Sequence, residues 1–542
     1  MTKHLISLAI GVLFALTLMS PSCEDSGQIT EAGVESTEYD LGEVSSVKPL
    51  TYSFENDYHE LWEDVDSLEN LGLYKSALDV VQVIFTEARK DENAPQVVKA
   101  VIHKMKYNAY LEDDDFVFAM NELSSLTSET TFPLKQIIHS VIAESYWGYY
   151  QANRWTFMNR TQTVDFENTD VRTWDLNKIV NHVNENYMLS LTSKDSLQHA
   201  KITDFSDILS GTVVHSKNQR PTLYDFLAYR ALNYFESSEP SVTRPADKFT
   251  MTSRNYFGNS SEFLALPIQS ADSLSNALHA SKILQYLTIF HLKDKNPSAL
   301  VDLELRRLDF ARSQVVKDGK EDLYLKALEN LAKLHSEHQA SAEVSFKIAT
   351  FYNQRGNSYT LKNQEAKWDK KKAMEICNGA IQKFPESLGA RQCEALKVSI
   401  VQKNISFNNE VAYTPQSKDK MLIKYKNLDK LYFKMVKVDW DYFYEQDLSG
   451  EKLMEELLKK TVIHSWEKEL TNPGDYQNHS TEILIPETEF GQYIVLASPS
   501  KEFKVKDNAI AYGSYWTTNL SYNFRTNANQ TIDAYVTDRE TG

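Results

Sequence analysis

Between Asn404 and Trp440 the apolar repeat of the chain changes, and that change constrains the fold more than any other feature. Upstream, apolar residues recur at helical spacing; within this stretch they begin to alternate, the signature of a half-buried strand. Ile423 and Tyr425 fall on one side, Lys424 and Lys426 on the other. Asn427-Leu428-Asp429-Lys430 supplies turn residues, and alternation resumes with Leu431, Phe433 and Met435 against Tyr432, Lys434 and Val436. The pattern predicts a β-hairpin here and a multidomain chain that is α first, then β. An all-α arm of helix pairs over 51–402 should precede an antiparallel β-sandwich over 403–525.

A chain of 542 residues is too long for one hydrophobic core. An apolar fraction of 42%, with 29 Tyr and 25 Phe, supports folded cores over disorder. The net charge of −17 argues against nucleic acid as a partner, since phosphate binding needs a basic face.

Residues 1–23 read as an export signal. Lys3 gives a positive start, Leu5 to Met19 is an apolar run, and Ser20-Pro21-Ser22 leads into Cys23. The order is that of a lipoprotein signal with Cys23 as the lipidation site, although Ser20 stands where such signals usually carry Leu. The expected localisation is the cell envelope, with the chain lipid-anchored to a membrane. Residues 24–50, rich in Glu, Ser, Gly and Thr, form a flexible tether. No later stretch is long and apolar enough to span a bilayer.

Within the arm, one helix runs through Leu61, Trp62, Val65 and Leu68, and Gly72-Leu73-Tyr74 opens a second through Ala77, Val81 and Ile84. Small residues at this turn let paired helices approach closely, as in tetratricopeptide (TPR-like) pairs, here as an irregular solenoid without a strict repeat. Thr222 and Asp225 are spaced as a capping box. Near the end of the arm, Ala373, Cys377, Ala380, Ile381 and Phe384 form one stripe and Cys393, Leu396 and Ile400 another, across a break at Pro385. Cys377 and Cys393 can therefore meet. A disulfide and a pair of buried core thiols are both open.

Leu453 to Glu469 reads as a helix or a long charged loop. Glu482–Ile485, Gln492–Leu496, Phe503–Val505, Ala509–Tyr512 and Leu520–Tyr522 read as further strands of the sandwich. Residues 526–542 read as the first strand of a following, truncated domain, with Asp533 to Thr537 expected to fray or to lie against the edge of the preceding sandwich. No catalytic, cofactor or metal constellation is apparent. His335 and His338 lack the spacing of a zinc-protease helix. Glu112 to Asp115 lacks the alternation and glycine of a calcium loop.

The order of these parts resembles the N-terminal part of the bacterial alpha-2-macroglobulin-like lipoproteins of Bacteroidetes-type envelopes. The residues carrying the resemblance are RPTLYDFLAYRAL (220–232), FPESLGARQCEAL (384–396), MLIKYKNLDKLYFKMVKV (421–438), GQYIVLAS (491–498) and AYVTDRETG (534–542). It implies an envelope-anchored endopeptidase inhibitor that traps proteases, with macroglobulin domains, and with proteases or other envelope proteins as partners. Some members carry a Cys-Gly-Glu-Gln thioester. Here Cys377 is followed by Asn378-Gly379-Ala380 and Cys393 by Glu394-Ala395-Leu396, so this chain has neither that motif nor a bait stretch. The runner-up is a SusD-like glycan- or protein-binding surface lipoprotein, for which clustered surface aromatics would speak.

Overall fold

A computed structural model describes residues 58–111, 116–158, 170–208, 216–237, 248–272, 274–439, 448–506 and 508–542. Cys23, the signal, the tether and the run Glu112 to Asp115 lie outside them. The chain divides into two compact units, residues 1–327 and 328–542. The helices after 328 therefore share a unit with the strands.

The first unit is helical. α1 (His59–Asn70) and α2 (Tyr74–Lys90) are joined through Gly72, whose φ of +73° is open to a residue without a Cβ. Ala77, Val81, Ile84, Phe85 and Ala88 give α2 one buried face. α3 (Ala94–Leu111) returns alongside, where the Trp62 indole N–H donates to Gln96 Oε1 at 2.7 Å and the Tyr107 hydroxyl donates to Glu69 at 2.7 Å. α4 (Phe116–Glu129), α5 (Leu134–Ala152), α6 (Leu176–Ser190), α7 (Leu223–Phe235), α8 (Asn276–His291) and α9 (Ser298–Gln314) follow. Successive helices are spatial neighbours: α5 packs on α6, α7 on α8, and α8 on α9. The predicted capping box at the start of α7 is present. α10 (Lys320–Leu334) crosses the division between the units.

The second unit begins with α11 (Ser341–Gly356), α12 (Asp369–Lys383) and α13 (Leu388–Val401). Ala373, Cys377 and Ala380 are buried on α12, as are Cys393 and Ile400 on α13. Gly389 lies against α11 so closely that an added Cβ would come within 2.1 Å of the Ala342 carbonyl carbon.

Three sheets follow among the described residues. β1 (Asn404–Asn408), β3 (Lys420–Lys426) and β6 (Asn478–Leu484) form one, in the order β1-β3-β6. β2 (Ala412–Tyr413), β8 (Ala511–Thr517), β7 (Gly491–Ser498), β4 (Lys430–Val438) and β5 (Val462–Glu469) form a second in that order, antiparallel except for β2 beside β8. Their apolar sides close on one core: Met421, Ile423, Tyr425 and Ile483 from the first sheet meet Leu431, Phe433, Met435, Tyr493, Val495 and Tyr515 from the second. On the other face of the five-stranded sheet, Val436, Val438, Ile494 and Leu496 pack under α14 (Gly450–Lys459) through Met454 and Leu457. Covered on both faces, β7 reads as an unbroken apolar run. β9 (Leu520–Thr526) and β10 (Ile532–Asp538) make the third sheet, a two-stranded ribbon.

Four sequence expectations are corrected. β3 and β4 are not a hairpin: the chain crosses at 427–429 from one sheet to the other, so their apolar sides face across the core instead of lying side by side. Residues 453–469 are not one helix, because α14 stops at Lys459 and Val462–Glu469 pairs with β4 as an exposed edge strand. Phe503 to Val505 is not a strand; Phe503 sits at φ +53° and plugs the helix-covered core. β10 does not lie against the edge of the preceding sandwich: it pairs residue for residue with β9, which itself leaves the preceding sheets.

Candidate functional site

The predicted cysteine pair comes together. Cys377 and Cys393 are both 0% exposed and are free thiols in the structure. The hydrogen bond between them, with burial added, pushes the Cys393 thiol far above its ordinary range, so it stays uncharged and is no nucleophile at neutral pH. Neither thiol reaches solvent, as attack on a substrate would require. Of the histidines, His335 follows the last residue of α10, and His338 Nδ1 accepts the Ala340 N–H at 3.2 Å. No His/Cys/Asp/Glu cluster able to hold a metal exists among the described residues.

Sequence reasoning found half of one buried cluster and missed the rest. Asp225 Oδ2 accepts from the Thr222 amide at 2.9 Å and the Asp225 amide donates to the Thr222 hydroxyl at 3.3 Å, the two bonds of a capping box, and that hydroxyl also donates to Oδ2 at 2.8 Å. The other Asp225 oxygen, Oδ1, takes the His291 Nε2–H at 2.8 Å, and His291 Nδ1 donates to Asp294 at 2.7 Å. Burial by itself lowers the affinity of His291 for its second proton, but the two carboxylates outweigh it and raise the pKa to about 9. An Asp–His pair invites comparison with a hydrolase triad, yet a general base needs one ring nitrogen free for a nucleophile. Both nitrogens of His291 are engaged by carboxylates, so this cluster ties α7 to the end of α8 and does no chemistry. A signal existed in the sequence: His291 and Asp294 are spaced three apart, as helix-end partners are.

Glu304 and Arg307 form a second buried pair. The Arg307 guanidinium donates to the Tyr256 carbonyl at 2.6 Å and the Gly258 carbonyl at 2.8 Å, and Glu304 accepts from Ser260 at 3.1 Å. It fixes the 254–260 segment to α9. Beside that segment an open cleft of about 450 Å³ is lined by Lys248, Phe249, Thr252, Tyr256 and Gln269 among others. Among the described residues that line the cleft, none is an acid or a histidine that could partner Lys248. The Tyr256 ring is buried, which leaves no pair of exposed rings to stack on a sugar face.

The β9–β10 ribbon gathers several exposed apolar side chains. The register puts Leu520, Tyr522 and Phe524 on the same face as Ile532, Ala534 and Val536, and Ser521, Asn523, Arg525, Asp533, Tyr535 and Thr537 on the other. Leu520, Tyr522, Phe524, Ile532 and Val536 are 59–66% exposed. Tyr522 and Phe524 touch through their rings, 5.0 Å between centroids. No other strand pairs with either edge among the described residues. With five large apolar side chains open to water on one face, the ribbon has the properties of a contact surface rather than a reaction centre.

No protein-family model matches the chain, and no curated protein matches it.

Proposed function

We propose that this chain is the N-terminal portion of a non-catalytic cell-envelope lipoprotein of the alpha-2-macroglobulin family, acting within a protease-trapping inhibitor. In this reading the two sheets that share a core are a macroglobulin-like β-sandwich, and the helix pairs before them are a TPR-like, irregular arm. Cys23 carries the lipid that holds the chain to the membrane, and the partners are proteases or other envelope proteins. The observation that supports it most is the order of parts: the α12–α13 pair leads directly into two sheets whose inner faces are closed by the alternating residues of 421–438. Two buried thiols without the thioester sequence around them support a non-covalent role for this portion.

The test is to incubate the purified chain with proteases of several specificities, then run denaturing electrophoresis alongside a pull-down under native conditions. Native retention of at least one protease with no boiling-resistant adduct is the expected result. A covalent adduct, or hydrolysis of a substrate by the chain itself, would overturn the reading.

A further inference from the structure

We propose that the outward face of the β1-β3-β6 sheet, together with the first turn of α12, is a docking surface for an acidic, extended segment of a protein partner. The proposal does not depend on the trapping role. Both parts belong to the second unit, and they meet at a defined joint. The side-chain amide of Gln477, one residue before β6, donates to the carbonyls of Ala366 at 3.3 Å and Lys367 at 3.2 Å, just ahead of α12.

Strand alternation builds the sheet half of the face. β3 turns Met421, Ile423 and Tyr425 into the core, so Lys420, Leu422, Lys424 and Lys426 lie on the outward side. The register sets Asn404 and Asn478 on either side of Lys426, and Ser406 and Ser480 on either side of Lys424. Glu482 is the acid of this face, and Lys420 takes it at 2.7 Å. The helix half is the start of α12. Trp368 is 48% exposed there, with the Lys367 and Lys371 amines 5.3 and 5.5 Å from its ring centre. Asp369 in the same turn is held by the Arg355 guanidinium through bonds of 2.6 and 2.9 Å. With those two acids engaged, Lys367, Lys370, Lys371, Lys424 and Lys426 have no carboxylate at ion-pair distance among the described residues.

Three observations set the chemistry of the partner. The first is charge. Lys370 is 5% exposed and lies near Lys426. Burial, then the Lys370 ammonium, holds Lys426 below the usual lysine range. Burial lowers Lys370 as well, against the pull of the buried Asp475. Two crowded cations repel each other, and an incoming carboxylate relieves that repulsion. The second is spacing. Lys424 and Lys426 are two apart on one side of a strand, so a segment with an acid at every second position matches their period. From Lys420 to Lys426 the strand covers about 20 Å, the reach of about six to eight extended residues. The third is scale. At physiological salt, charges act over only about 8 Å. A narrow segment senses the lysines alone, whereas a membrane or a long polyphosphate also meets the remainder of a chain carrying −17. Trp368, set between two amines, supplies the aromatic anchor that such interfaces use.

The experiment is fluorescence anisotropy on the full chain carrying Cys23→Ser, with a labelled octapeptide that has Glu at every second position and one Phe. A Kd of about 10–100 μM is expected at about 50 mM salt, weakening at least about tenfold at about 0.5 M. Lys371→Glu with Lys424→Glu, both at exposed positions, should weaken binding at least about tenfold. Lys75→Glu with Lys217→Glu makes the same change of net charge in the first unit and should leave binding within about twofold. Circular dichroism of each variant checks that both units remain folded. The proposal fails if the peptide does not bind up to about 1 mM, or if its Gln counterpart binds equally well. It fails if the face variant binds as before, or if the first-unit variant is as damaging. It also fails if anionic vesicles or a single-stranded oligonucleotide bind more tightly than the peptide through Lys371 and Lys424, since the face would then serve a lipid or a nucleic acid.

Discussion

His291 shows how far one side chain can set the pH response of a helical unit. Its imidazolium is 2% exposed and held between Asp225 and Asp294, with a pKa raised to about 9 against 6.5 when unfolded. A raised folded-state pKa means that the native chain binds the proton more tightly. The resulting stability is fully present below pH 6.5 and drains away as pH rises through 9. The difference corresponds to on the order of 3 kcal/mol. Chemical unfolding followed through α7 and α8 should therefore show this loss between pH 6 and 9.5. In His291→Gln the charge is gone but a donor remains, so the slope over that window should flatten. A variant that keeps the full slope would assign it to other groups. His291→Ala should cost roughly 3–5 kcal/mol below pH 6.5, because Asp225 is left buried without its cation, and less as pH rises through 9.

At the scale of elements, periodicity was a good guide to faces and a poor one to partners. The alternation of Ile423, Tyr425, Leu431, Phe433 and Met435 correctly named the buried side of β3 and β4. It could not tell a hairpin from a crossover, since two strands lying side by side and two facing across a core alternate identically. What decides is Asn427. It adopts φ +57°, and its amide donates to the carbonyls of Ile400 at 2.9 Å and Gln402 at 3.1 Å, acceptors left over at the end of α13. The crossing is thus pinned to a helix end far away in sequence, a relation no local pattern carries. The same limit hid His291 behind the readable Thr222–Asp225 box. It also hid β5, whose charged, exposed sequence resembles helix surface. Asn427→Gly retains the left-handed backbone but loses both hydrogen bonds, and should cost about 1–3 kcal/mol in the second unit. Asn427→Ala adds strain and should cost more. Equal stability of the two variants in urea would count against the pinning role.

At the scale of the whole molecule, charge decides what an anchor at Cys23 has to accomplish. A chain carrying −17 gains nothing from the anionic surface of a membrane, which attracts basic segments and repels acidic ones. No described helix is long and apolar enough to cross a bilayer either. Attachment through the proposed site must then be entirely hydrophobic, with each buried methylene contributing about 0.8 kcal/mol. Two results follow, and they separate a lipid anchor from electrostatic adsorption. Washing membranes with about 1 M salt, which shortens the screening length to roughly 3 Å, should leave the native chain in the pellet. Detergent should release it. Cys23→Ser should shift the chain to the soluble fraction, with a mature mass lower by the missing acyl groups. If the Cys23→Ser chain stays with the membrane in low salt and leaves in high salt, a charged partner holds it there, and the lipid at Cys23 is not the anchor.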